Sequence, residues 1–229
     1  MKHMKYLLLV AAAFGLLANP AVFADEHDAA AAGLDVSTAY IFRGATVSDD
    51  VGVFPSLEGV FNGVTAGVWA WFDTDDSEVE EIDIYFSYDL DLGGDAVDVS
   101  IGYTEYTYPN TTDATDREVS VVLELDGALS PSVSVHYGFE GALDEGLYVE
   151  ANLSRDLDLG ESLTVNAGVT LGAQLGDNVA NDGLAFAKVS VSTSVGIANV
   201  SVSYIIETDD DVQLIDEDVY GSIGVGFPL

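Results

Sequence analysis

The sequence predicts an all-β protein, a closed antiparallel transmembrane β-barrel of about 12 strands preceded by a cleaved signal peptide. Three features predict it. The N-terminus has the pattern of an export signal, apolar and polar side chains alternate repeatedly with a period of two, and tight and longer connections alternate between those segments. Such a chain enters a membrane through strands, because only a closed barrel or helices can satisfy backbone hydrogen bonds there.

The first 24 residues have the three-part layout of a secretory signal peptide. Lys2 and Lys5 form a short basic region, residues 6–17 are apolar, and a small-residue cleavage site ends at Ala24. The apolar stretch is shorter than the roughly 20 residues of a transmembrane helix, although an uncleaved anchor is the alternative interpretation. The expected organisation is a signal peptide, a flexible N-terminal tail and an outer-membrane barrel, over residues 1–24, 25–32 and 33–229.

The mature part of the chain is strongly acidic. Without residues 1–24, it has four basic side chains against 40 acidic ones, a formal charge of −36. This balance excludes nucleic-acid binding, which needs Lys and Arg on phosphates, and argues against anionic substrates. An acidic surface that only maintains solubility is the alternative explanation. The absence of Cys excludes disulfides and thiolate metal sites, and no cofactor is predicted.

Period-two alternation dominates the mature sequence. Ile82, Ile84 and Phe86, for example, alternate with Asp83 and Tyr85. The same alternation is found in residues 34–43, 97–104, 118–125, 132–139, 163–172 and 198–206, and more weakly in 52–61, 64–73, 146–157, 184–195 and 218–229. Segments of about 10 residues suit tilted strands that cross a bilayer, and a polar face rich in Ser, Thr, Gly and Asp suits a wet lumen. In 64–73 the weak alternation leaves both orientations of Trp69 and Trp71 open.

The connections alternate in length. Tight turns are predicted at 62–63, 93–95, 126–131, 160–161 and 196–197, and longer connections at 44–51, 74–80, 109–116, 140–145, 174–183 and 207–217. Short periplasmic turns and longer external loops are typical of outer-membrane barrels. A soluble or secreted β-domain is the alternative, since alternation also marks sandwiches. No loop is predicted to plug the lumen.

Aromatic residues near the strand ends predict girdles at the two lipid interfaces. The predicted outer girdle contains Tyr40, Phe42, Phe54, Tyr137, Phe139, Tyr204 and Tyr220, and the inner girdle contains Phe61 and Phe227.

Several segments resemble the TorF-like porins, a family of bacterial outer-membrane proteins. Residues 37–44, with Tyr40, Arg43 and Gly44, resemble the family's opening strand. Further similar segments follow in the family's order at 55–59, 67–70, 81–88 and 102–109. The chain departs from the family pattern at residues 45–47 and 71–72. The resemblance implies an outer-membrane protein with pore activity, and the departures mean that no ligand preference is carried over.

The polar faces of the predicted strands supply the candidate site, a pore lining. Its predicted members are Asp35, Arg43, Asp83, Asp89, Asp98, Glu118, Glu124, His136 and Glu150. Arg43 is expected on the first strand, paired with Asp83 or Glu58 across the lumen, where it either braces the wall or contacts a ligand.

Other chemistries have weaker support. The acidic runs at 73–81 and 209–218 lack the calcium-loop pattern with Gly at its sixth position, so solvated loops are favoured over metal sites. His136 shares a face with Ser132 and Ser134, but one His does not make a triad. No catalytic residue and no metal ligand is predicted.

These features favour a small, cation-preferring passive diffusion pore in the outer membrane, and not an enzyme. The expected partners are outer-membrane lipid, small cationic or neutral solutes and, during biogenesis, the barrel-assembly machinery. The alternatives are a non-conducting surface barrel whose acidic loops bind cations or partners, and an outer-membrane hydrolase.

The predicted topology is testable by labelling single-Cys variants on intact cells. A thiol reagent should reach a Cys placed within 74–80 or 207–217, whereas a Cys at Gly63 or Gly94 should react only after the outer membrane is opened. Labelling of position 63 from outside would reverse the orientation.

Overall fold

The computed structural model describes residues 28–92, 96–112, 114–160, 163–176, 182–207 and 218–229. The predicted signal peptide lies outside these residues. Within them, one short 3-10 turn at Gly141–Leu143 interrupts a succession of strands. The strands are β1 (Asp28–Ser37), β2 (Tyr40–Phe42), β3 (Ala45–Ser48), β4 (Gly52–Phe61), β5 (Val64–Asp73), β6 (Glu78–Leu90), β7 (Val97–Thr107), β8 (Thr115–Leu125), β9 (Ser132–Glu140), β10 (Gly146–Asp158), β11 (Thr164–Gly176), β12 (Gly183–Val195), β13 (Ala198–Glu207) and β14 (Val219–Pro228). In this part of the chain, no helix is long and apolar enough to cross a membrane.

Every strand except β2 and β3 belongs to one closed antiparallel barrel, which confirms the predicted 12-stranded fold. β1 pairs with β4 on one side, from Asp28↔Phe61 to Ser37↔Gly52, and with β14 on the other. The remaining barrel strands pair with their neighbours in chain order. Closure removes the two free edges that an open sheet of this sequence would expose.

Side chains alternate between a lipid-facing and an interior face. On β8, Val119 and Val121 are exposed, whereas Glu118 and Val122 are buried inside the barrel. Apolar side chains are exposed in the same way on the other barrel strands, among them Leu34, Leu57, Ile84, Ile101, Val135, Leu153, Val169, Val189, Val200 and Ile223. A continuous apolar outer face around a closed barrel requires lipid to cover it. The protein is therefore an outer-membrane β-barrel.

The chain between β1 and β4 folds inward as a hairpin. β2 and β3 pair only with each other, and their two-residue turn consists of Arg43 and Gly44, both with positive φ. Such φ values fit the hairpin turn whose twist matches its strands, although Arg rarely adopts them. At Gly44 a Cβ would overlap the ring of Phe186, so the turn packs directly against the barrel wall. We call residues 38–51 the inward hairpin, and its end of the barrel the hairpin end.

The inward hairpin corrects two predictions. The first strand does not continue through residue 43, because the ladders of β1 end at Ser37, opposite Gly52 and Ser222. The prediction that no loop occupies the lumen is also wrong. Alternation persists through 40–42 because these residues form a strand of their own, which pairs with β3 instead of the barrel wall.

Two boundaries also differ from the prediction. Residues 28–32, expected in a flexible tail, belong to β1, which needs them to match all ten residues of β4. The connection predicted over 74–80 is a tight turn at residues 74–77. A bulge at Trp71/Phe72 lets β5 and β6 remain paired as far as Asp73↔Glu78. Residues 208–217, most of another predicted long loop, lie outside the described part of the chain.

The assignment of faces predicts opposite effects for two adjacent substitutions on β8. Val121→Arg places a charge in lipid near the middle of the strand and should destabilise the folded barrel by about 2–4 kcal/mol. Ser120→Arg points into the lumen and should fold nearly as well as the parent chain. Urea titration of the barrel in lipid vesicles measures both, and equal losses would contradict the assignment.

Candidate functional site

The tip of the inward hairpin carries the most constrained basic side chain in the described structure. Arg43 Nη2 donates to both carboxylate oxygens of Glu118 on β8, at 2.7 and 2.6 Å. The guanidinium carbon lies 4.7 Å from the ring centroid of Phe42 and 4.6 Å from that of Tyr148. Charge-assisted hydrogen bonds and contacts with two aromatic faces therefore jointly hold the guanidinium in place. The predicted partners Asp83 and Glu58 are wrong, because the hairpin carries Arg43 away from the wall on which it was placed.

Glu118 connects the hairpin to three barrel strands. Besides Arg43, it accepts a hydrogen bond from the Tyr106 hydroxyl at 2.9 Å, and His136 Nδ1 lies 3.0 Å from its Oε1. Glu118 and His136 are each only 2% exposed. Burial alone lowers the pKa of Arg43, but the Glu118 carboxylate outweighs it, and the pKa of the guanidinium is raised above its ordinary value. The hairpin therefore brings a permanent positive charge to a buried carboxylate.

An aromatic cluster packs against one side of the hairpin. The ring centroid of Tyr40 lies 5.6 Å from Phe54, 5.7 Å from Trp69 and 4.8 Å from Trp71. Phe54 and Trp69 are stacked, with 5.4 Å between their centroids. Both Trp side chains thus face the interior, which the weak alternation of β5 left open. Tyr40, Phe54 and Tyr220 are buried inside the barrel, so their assignment to the outer girdle is wrong.

A second apolar cluster packs against Ala39 and Ile41. It contains Tyr148, Ala185, Phe186, Ile205 and Tyr220. Ala185 and Phe186 are consecutive and both buried, because a bulge opposite Gly172/Ala173 turns two neighbouring β12 residues inward. The hairpin is thus packed on both sides, and it narrows the lumen at the hairpin end.

The other predicted pore-lining residues also lie on the interior face. Asp83 is almost fully buried beside Trp69, its register partner on β5. Asp35 is buried above Gly224, and Glu150 accepts a hydrogen bond from Tyr148 at 2.6 Å. These residues, together with Arg43, Glu118 and His136, lie at or near the hairpin level, so the hairpin brings them close to a common constriction.

Three predicted carboxylates form a separate group farther from the hairpin. Asp98 is directly opposite Glu124 on β8. Asp89 lies on the neighbouring strand β6, opposite Ser100, which is two residues from Asp98. All three are only partly buried. No group of three His, Asp or Glu side chains in the described residues could hold a metal ion.

The aromatic residues that complete the site are not among the predicted pore-lining residues. Tyr106 and Tyr148 share the interior face with Thr104 and Glu150, so strand parity alone could have identified them. Tyr40 could not be found this way, because its position depends on the hairpin leaving the barrel wall.

A family model described as "Bacterial protein of unknown function (Gcw_chp)" matches residues 24–221. The chain belongs to the Gcw_chp family. The Gcw_chp match extends from before β1 into β14, so it includes the inward hairpin as well as the barrel wall. No curated protein matches this chain.

Several solved outer-membrane barrels are similar to this Gcw_chp protein in fold. LpxR from Salmonella typhimurium has 9% identity and a TM-score of 0.49, with 86% of this chain and 99% of LpxR covered. OmpF from Salmonella typhi, in complex with daunomycin, has 10% identity and a TM-score of 0.42, with 82% and 64% covered. OprD from Pseudomonas aeruginosa has 13% identity and a TM-score of 0.40, with 90% and 67% covered. The likeness concerns the barrel alone.

The buried ion pair predicts a large difference between two arginines. Arg43→Ala leaves the Glu118 carboxylate without its cation and should lower the free energy of unfolding by about 3–5 kcal/mol. Arg117→Ala removes ion pairs to Glu105 and Glu140 that are partly exposed, and should cost at most about 1 kcal/mol. Urea titrations of the two variants would contradict the importance of the buried pair if their losses were equal.

Proposed function

We propose that this Gcw_chp protein is a small passive diffusion channel of the outer membrane, narrowed by the inward hairpin and selective for cations. The observation that carries the proposal is the charge of the interior face. Among the described residues, Arg43 and Lys188 are its basic members, whereas its acidic members include Asp35, Glu58, Glu81, Asp83, Asp89, Asp98, Asp116, Glu118, Glu124 and Glu150. The resemblance to the TorF-like porins supports the same activity.

Carboxylates that surround a narrow aqueous path concentrate cations and repel anions. Among the described residues, Arg43 and Lys188 do not form a comparable positive surface, because the Arg43 guanidinium is bound to Glu118 and Lys188 is a single charge. Cation selectivity should weaken as salt rises, since the Debye length falls from about 10 Å at 0.1 M to about 3 Å at 1 M. Small cationic or neutral solutes are the proposed cargo.

The hairpin determines how wide the path is. Interior side chains at its level are tightly packed, with Asp83 1% exposed, whereas Asp89, Asp98 and Glu124 farther along the barrel are only partly buried. A barrel of 12 strands lies between filled barrels of about eight strands and open porins of about 16. We therefore place the constriction at the hairpin and a wider vestibule at the opposite end.

The packing of the hairpin also favours a second candidate, a non-conducting barrel with acidic surface loops. Asp49, Asp50 and Asp75 lie together at the hairpin end. Partial desolvation and, after it, repulsion from Asp75 and Asp49 raise the pKa of Asp50, which indicates a concentrated negative surface. Such a surface would attract cations or a basic partner.

A hydrolytic function has less support. The His136 imidazole contacts the Glu118 carboxylate, and no Ser hydroxyl of the described residues forms a hydrogen bond with it. The geometry of a nucleophile activated by a His base is therefore not formed. We propose no catalytic step.

Planar-bilayer recordings test the channel. The purified protein should conduct with a reversal potential that shows cation preference in a KCl gradient, and the double variant Asp89→Asn/Glu124→Asn should reduce that preference. Glu105→Gln, which removes a carboxylate from the outer face of β7, should leave it unchanged. Replacing residues 39–49 by a short Gly-Ser linker should widen the path and increase conductance several-fold.

The second candidate gives a different result. A parent protein that does not conduct, together with a hairpin-replaced variant that does, would make the hairpin a plug and the native protein a non-conducting barrel. Anion preference, or selectivity unaffected by the double variant, would exclude these carboxylates as the lining of a conducting path.

A further inference from the structure

The wall beneath the hairpin contains four buried carboxyl groups. Glu81 and Asp83 lie on β6, and Asp116 and Glu118 lie on β8, each less than 10% exposed. Between them, β7 contributes Tyr106, which is the register partner of both Asp83 and Asp116. Burying this much negative charge requires compensation by hydrogen bonds, cations or protons.

The two carboxylates on β8 have their partners. Glu118 is paired with Arg43 and accepts a hydrogen bond from Tyr106. Asp116 accepts hydrogen bonds from the Tyr108 hydroxyl at 2.9 Å and from the backbone N–H of Ala142 at 2.6 Å. The Arg43 guanidinium, which lies inside the barrel, therefore neutralises a carboxylate on the β8 side of this wall.

The two carboxyl groups on β6 lack such compensation. Neither oxygen of Asp83 has a hydrogen-bond donor among the described residues. The adjacent ionisable group is Glu81, next to which the Tyr40 hydroxyl of the hairpin lies. Both oxygens of Asp83 are buried, and no three-ligand metal site exists among the described residues.

We propose that Glu81 and Asp83 share one proton and that this singly charged pair is a pH-sensitive latch, which holds the inward hairpin closed through Tyr40. The shared proton gives Asp83 a hydrogen bond that the described residues around it do not supply. Like charges in such close contact cannot both be maintained without water, so the proton should stay while the hairpin covers the pair. The proposal concerns the regulation of the proposed channel, but the latch itself does not depend on conduction.

Release of the proton to solvent should open the latch. Among the described residues, the titratable groups that face the pair are Tyr40 from β2, Tyr85 from β6, Tyr106 from β7, Tyr108 just after β7, and Asp116 and Glu118 from β8. None is a cation, so a second negative charge could be stabilised only by entering water. Because Tyr40 and Trp69 cover the pair, hydration requires the hairpin to move away from the wall.

The two Trp residues of the chain report this movement directly. Trp69 and Trp71 are the only ones in the sequence, and both pack against the Tyr40 ring. If the hairpin moved away and carried Tyr40 with it, both indoles would be exposed to water. Their fluorescence therefore follows the hairpin without any assumption about transport.

The test is a pH titration of Trp emission for the folded mature protein in detergent. It runs from neutral pH to about 9.5, below the value of about 10 at which a solvated phenol ionises. The parent protein should show a reversible shift to longer wavelength. Asp83→Asn and Glu81→Gln each remove the need for a shared proton while supplying an amide donor, so both should lose the shift. Glu105→Gln, on the outer face, should retain it.

Heat-dependent mobility on denaturing gels verifies that each variant is folded, and either β6 variant is sufficient if the other does not assemble. Absence of the shift in the parent protein, or its persistence in a folded β6 variant, would overturn the latch. Bilayer recordings over the same pH range separate the two proposals. A fluorescence shift without conductance at any pH would support the latch and contradict the proposed channel. Conductance without a fluorescence shift would support the channel and contradict the latch.

Discussion

Closure of the barrel through the pairing of β1 with β14 is the constraint on which the rest of the structure depends. Lipid offers no hydrogen bonds to an unpaired strand, so every barrel strand must have two neighbours. This requirement explains why β1 begins as early as Asp28 and extends along all of β4. It also forces all connecting chain to the two ends of the barrel, and the long connection after β1 then has either solvent or the lumen available to it.

The lumen is the more favourable place for the inward hairpin. The interior of a 12-stranded barrel is too wide for the side chains of its own wall to fill. Tyr40 and Ile41 fill part of it by packing against two opposite apolar clusters, and Arg43 supplies the positive charge that the acidic wall lacks. Burial of aromatic surface stabilises the hairpin in this position. The ion pair fixes the position of the hairpin tip, because moving Arg43 away from Glu118 would leave a buried charge without its partner.

Features that depend on a local sequence pattern are predicted correctly, whereas features that depend on contacts between distant residues are not. The faces of Glu118 and Val121 follow from strand parity, because alternate residues of a strand face opposite sides of the sheet. The same parity, applied to Arg43, leads to the wrong surface and the wrong partners, because two bent residues after Ser37 redirect the chain. The bulges at Trp71/Phe72 and Gly172/Ala173 likewise shift parity locally, and nothing in the alternation itself marks them.

The sequence by itself determined the all-β class, the number of barrel strands, the acidic interior and the apolar outer face, because each depends only on period-two patterning and composition. The tertiary structure alone decided that residues 38–51 fold into the lumen and that Arg43 binds Glu118, 75 positions away in the chain. It also decided that Asp83 is buried without a hydrogen-bond donor among the described residues. These arrangements depend on which distant strands the closed barrel brings face to face, and a pattern read along one strand contains no information about the opposite wall.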